Sequence, residues 1–159
     1  MPTRNDIAKA TRTKVITLLN ARLADMVDLR QHVKHAHWNV KGPNFIGLHK
    51  LFDEIASVTA DYADEIAERA VQLGGEAEGT TRMAAAASSL EEFPSGLSAG
   101  SAFVDAVADR IATTAKAVRK AADTAGKAGD LGTSDMFVDI VRGLDKYLWF
   151  VEAHNHSER

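Results

Sequence analysis

"LGGEAEGTTRMAAAASSLEEFPSGLSAG" runs from Leu73 to Gly100, and its missing periodicity decides how the rest of the chain folds. It opens on Gly74-Gly75, a plausible C-terminal glycine cap for the helix before it. Inside it, "MAAAASSLEEF" can form one short helix closed by Pro94. On both sides the pattern is helical. Upstream, "KATRTKVITLLNARLADMVDLRQHVKHAHW" spaces Val15, Leu18, Leu19, Leu23, Met26, Val27 and Val33 along one long helix. "NVKGPN" ends that helix, and a second runs from about Phe45 to Leu73. Downstream, a third helix from about Ser101 to Ala125 carries Phe103, Val104, Val107, Ile111 and Val118. "GKAGDLGTS" breaks it. Thr133 or Ser134 can cap a fourth helix holding Met136, Phe137, Ile140, Val141, Leu144, Leu148 and Val151.

No stretch shows a strand period and no short repeat is visible. Four long helices with a long connection only between the second and third imply two antiparallel hairpins joined by a crossover. That is the ferritin-like form of the four-helix bundle, all-α, with a short extra helix in the crossover. A plain up-down bundle is the alternative. The Ala-rich third helix allows close packing. The expectation is a single domain over residues 1–159, with short flexible tails at 1–6 and 153–159.

With 159 residues and 45% apolar content, the chain can bury a core and is not a disordered chain. It lacks an apolar run of membrane-spanning length and a signal-peptide segment. With no cysteine, neither disulfides nor thiolate metal sites are available. A soluble cytoplasmic protein is expected. The net charge of −3 argues against a free subunit that coats nucleic acid.

The second helix has two characters. At about 100° per residue with His49 at zero, Asp53 falls near 40°, Asp64 near 60° and Glu68 near 100°. Ala56, Ser57, Ala60 and Ala67 share that face. Leu51, Phe52, Ile55, Val58, Tyr62, Ile66 and Leu73 lie opposite as a core face, with Glu54, Asp61 and Glu65 solvated between the two. A polar outer surface is the plain reading of the four ionisable residues. The small residues among them favour close approach of another helix. His49 and Asp53 are one turn apart, as are Asp64 and Glu68, but the pairs are roughly 22 Å from each other at 1.5 Å per residue. One chain cannot bring both pairs to one ion. Two copies of the helix, antiparallel across a two-fold axis near Val58 and Thr59, would place each His49/Asp53 pair against the other's Asp64/Glu68 pair, making two equivalent sites. His37, at the end of the first helix, is the natural additional imidazole. Bundles with an intrachain di-metal site use Glu-x-x-His motifs, and no histidine here has a Glu three residues before it.

Imidazole and carboxylate without thiolate suit iron(II), manganese or zinc. Several negative ligands stabilise iron(III) over iron(II). Trp38 is either a hydrophobic anchor at the interface or an oxidisable ring that intercepts radical equivalents.

At these residues the chain becomes familiar. "AHWNVKGPNFIGLHKLFDE", "DYADEIAERAVQLGG" and "LDKYLWFVE" resemble the Dps family of mini-ferritins, and the resemblance covers nearly the whole chain, from about Ile7 to Glu152. It implies a four-helix subunit assembled as a hollow homo-dodecamer from two-fold dimers. It implies a ferroxidase centre at each two-fold interface, with iron (Fe2+/Fe3+) as the metal and hydrogen peroxide as the preferred oxidant. His37, His49 and Asp53 of one subunit would act with Asp64 and Glu68 of its partner. The acids Asp130, Asp135 and Asp139 either complement the start of the fourth helix or, as the resemblance implies, line a three-fold pore that draws iron in. His35 departs from the residue expected there and is a surface histidine or an extra metal contact. His32 is structural or exposed. His154 and His156 sit in a frayed tail and could bind metal adventitiously.

Many Dps proteins also bind and compact DNA through a basic tail, and would then be nucleoid-associated. Here "MPTRND" carries one Arg, and "EAHNHSER" one Arg and two acids. Nonspecific DNA binding is mostly phosphate neutralisation, so binding is expected to be weak at neutral pH.

Overall fold

The computed structural model describes residues 3–156, which form five helices and no strand. They are α1 (Lys9–Asn39), α2 (Phe45–Gln72), α3 (Thr81–Ala87), α4 (Gly100–Lys127) and α5 (Leu131–Glu152). α1 packs along α2 and α4 along α5, α1 joins the two hairpins through α4, and α3 rests on α1. This is the crossover bundle expected from the sequence.

The apolar stripes meet in one core. Val15, Leu19, Leu23, Met26, Leu29 and Val33 of α1 are buried with Phe52, Ile55 and Ile66 of α2. Phe103, Val107, Ile111 and Val118 of α4 and Phe137, Ile140 and Leu144 of α5 complete it. Ala115, Ala121, Ala122 and Ala125 of α4 are also buried, as the Ala-rich pattern suggests.

Element ends differ from the sequence reading in two places. α3 begins at a capping Thr80, whose side chain accepts from the Met83 N–H, and stops at Ala87, well before Pro94. The cap of α5 is Asp130, not Thr133 or Ser134: its carboxylate accepts from the Thr133 N–H at 2.9 Å and from the Thr133 hydroxyl at 2.6 Å. Only Ala128, Gly129 and Asp130 therefore separate α4 from α5, and Gly129, at φ 92°, turns the chain where an L side chain would be strained.

The crossover is tied down by polar groups of α1. Asn20 donates to Glu76 O and accepts from the Glu78 N–H. Asp25, fully buried, accepts from both the N–H and the hydroxyl of Ser89 while pairing with Arg22 at 2.7 Å. Near the chain ends, Thr3 donates to Gln72 O, and Asn155 donates to Ser101 O and Asp105. Residues 1, 2 and 157–159, the outer parts of the expected tails, lie outside the described residues.

Candidate metal centre

His37 ends α1 and His49 lies in the first turns of α2, with the "NVKGPNFIGL" turn between them. That turn stacks the two imidazoles at 3.7 Å between centroids and 20° between planes. Each ring's Nδ1 meets the other residue's backbone carbonyl: His37 Nδ1 to His49 O at 2.7 Å and His49 Nδ1 to His37 O at 2.8 Å. A carbonyl can only accept, so each Nδ1 carries a proton, and in the neutral ring each Nε2 then keeps its lone pair. A fixed tautomer of this kind makes histidine a ready metal ligand. The rings open onto a surface concavity shared with Lys50, Asp53, Glu54 and Ser57.

Asp53 is 59% exposed and paired with Lys34 Nζ at 2.7 Å. The Lys34 hydrogen bond holds the Asp53 carboxyl below the usual carboxylate range. Lys34 also lies 5.6 Å from the centre of the Trp38 ring. The sequence reading passed over Lys34, although it stands three residues before His37 and so on the same side of α1. Glu54, expected to be merely solvated, accepts from the Tyr147 hydroxyl at 2.8 Å. Burial and this contact push Tyr147 up to about 12.

Asp64 and Glu68 are exposed on α2. Among the described residues, no set of three or more His, Asp or Glu side chains within one chain can hold a metal ion. His37, His49 and Asp53 therefore do not make a three-residue metal site within the chain, and a metal centre built on them would need ligands from elsewhere.

The remaining candidates separate. Trp38 is 65% exposed. Asp130 is only 1% exposed and bound by Arg69 at 2.9 Å. Burial alone would raise its pKa, but the Thr133 bonds and the Arg69 guanidinium outweigh that and hold it low. Asp130 is the N-terminal cap of α5, which agrees with the helix-start reading of this acid. Asp135 and Asp139 are exposed, with Asp139 2.6 Å from Arg142. His35 is exposed and meets Phe93 edge-on at 5.4 Å between centroids. His32 packs on the same ring and lies 3.2 Å from Asp28. His154 Nδ1 bonds Phe150 O.

A four-helix bundle with this crossover has the architecture of a ferritin-like subunit, and a family model described as the ferritin-like domain matches residues 16–158. The chain is 41% identical over 152 residues to the DNA protection during starvation protein of Agrobacterium fabrum, covering 96% of this chain and 94% of that one. Its fold matches the tetragonal form of Mycobacterium smegmatis Dps with a TM-score of 0.93 at 30% identity, over 99% of this chain and 94% of that one. DpsC from Streptomyces coelicolor matches with a TM-score of 0.94 at 28% identity, over 100% and 93%. The chain belongs to the Dps family.

Proposed function

We propose that the protein is a ferroxidase and iron store. It oxidises Fe(II) with hydrogen peroxide, or with dioxygen, at sites between two-fold-related subunits. It keeps the ferric mineral inside a hollow dodecamer and so protects against oxidative stress. The observation that carries this reading is the reciprocal His37–His49 lock, which leaves two Nε2 lone pairs beside Asp53. Asp64 and Glu68 of the partner subunit would complete the ligand set, since antiparallel α2 helices bring each pair to the other's complement.

In the peroxide reaction each of two Fe(II) ions gives up one electron. The O–O bond breaks and, with two protons, leaves as two water molecules. Carboxylates favour the Fe(III) product. Asp135 and Asp139 would attract cations near the start of α5. The name of the Agrobacterium relative speaks of DNA protection. Removal of iron and peroxide protects DNA without contact, and a subunit charge of −3 disfavours direct binding.

The test is the initial rate of Fe(II) oxidation in His37→Ala and Asp64→Ala. Each is expected to lose at least roughly tenfold, the low end of what even outer-shell metal-site changes cost, while the assembled mass stays unchanged. Wild-type rates in both variants would overturn the assignment.

A further inference from the structure

Ile46 and Val71 are the two most exposed large apolar side chains of α2, at 59% and 43%. Both fall on the ligand face: with His49 at zero, Ile46 lies at about 60° and Val71 at about 40°. Ile46 stands three residues before His49, and Val71 three residues after Glu68. Measured from the point midway between Val58 and Thr59, Ile46 and Val71 are equally far along the helix, roughly 19 Å each at 1.5 Å per residue. His49 and Glu68 are likewise equidistant from that point, and so are Asp53 and Asp64. Beside Val71 is a shallow, mostly apolar groove lined by Thr3, Ala67, Glu68, Gln72 and Ala77.

We propose that this groove seats Ile46 of the partner subunit, and that each Ile46–Val71 contact closes the outer edge of one shared metal site. The inference rests on the trans-site reading above. A second copy of this chain is the occupant because a two-fold contact requires knob and groove on one surface. α2 carries both, at positions related by the same midpoint as the ligand pairs. A foreign partner would need the groove but would leave the matching Ile46 unexplained. The contact is made twice per dimer. It sets hydrocarbon one helical turn beyond His49 and Glu68, and excluding water there strengthens the attraction between carboxylates and a bound cation.

The natural sequence has no cysteine, so a disulfide trap reads the contact without background. Ile46→Cys and Val71→Cys are combined in the full chain, and the assembled protein is oxidised with copper phenanthroline. Bridging needs Cα atoms about 4.4–6.8 Å apart, so only direct apposition cross-links. The expected product is a covalent dimer on a non-reducing gel that reverts with dithiothreitol, absent from either single variant. A double variant that stays monomeric on that gel, or a single variant that cross-links as fully, overturns the contact. Asp64→Ala separates the two ideas. Full oxidation activity in that variant, with the cross-link formed, leaves the docking contact standing and overturns the shared site and the sealing role. Lost activity without the cross-link supports the shared site and overturns the contact.

Discussion

Each of His37 and His49 gives its Nδ1 to the other's backbone carbonyl, so the fold itself decides that Nε2 is the nitrogen a metal would meet. Asp53 is held differently, by the Lys34 ammonium, which a cation at the site must share or displace. Lys34→Met is expected to tighten anaerobic Fe(II) binding by calorimetry; weaker binding would instead make Lys34 a support for Asp53. His32 carries a pH effect at the same scale. Burial lowers its pKa below 6.5, with Arg110 and His35 acting in the same direction and Asp28 opposing. The unfolded chain therefore takes up this proton at higher pH than the folded one. Stability falls as pH drops below about 6.5 towards the lowered value, where the unfolded state binds more protons. His32→Leu keeps an apolar contact with Phe93 and cannot titrate. Its urea midpoint, at fixed protein concentration, is expected to decline less with acid than the wild type's. Equal slopes would place the acid sensitivity elsewhere.

Helices α2 and α5 come close where Gly143 meets Tyr62. A Cβ on Gly143 would overlap the Tyr62 hydroxyl and lie 2.9 Å from Cζ. Gly143→Ala is expected to cost about 1–3 kcal/mol, the usual range for overpacking, read as a lowered thermal midpoint. Adding Tyr62→Phe should restore part of it, because the hydroxyl is the nearer clash and the ring remains. A neutral Gly143→Ala would mean that the two helices part easily. The crossover depends on Asp25 in the same way that α5 depends on Asp130. Each is a buried acid, Asp25 in the middle of α1 and Asp130 at the start of α5, satisfied by a backbone N–H, a hydroxyl and an arginine.

In the assembled molecule a mixed dimer tests the trans arrangement. His49→Ala and Glu68→Ala place both lesions at one shared site, so a heterodimer of the two variants keeps its other site intact. Its oxidation rate should exceed that of either parent, and a rate no higher than either would count against ligands in trans. DNA binding belongs to this scale too, because weak contacts would multiply across the proposed cage. At a net charge of −3 per subunit, little binding is expected near neutral pH and ~0.15 M salt. A gel shift showing tight complexes under those conditions would make DNA protection direct.

The sequence by itself determined the four long helices, their crossover order and the two-faced character of α2, because helical period and Gly-Pro breaks are local properties of the chain. It also brought His37, His49 and Asp53 into view, since a short turn and one helical repeat set their spacing. The tertiary structure alone decided the rest. Asp25 looks like any acid on α1 until Ser89, sixty-four residues away, comes against it. Asp130 reads as one of three surface acids until α2 delivers Arg69 to it. The histidine lock requires the turn to close at a particular angle. Periodicity describes one helix at a time, whereas these contacts depend on how two helices pack, and packing is settled by side-chain shapes far apart in the chain.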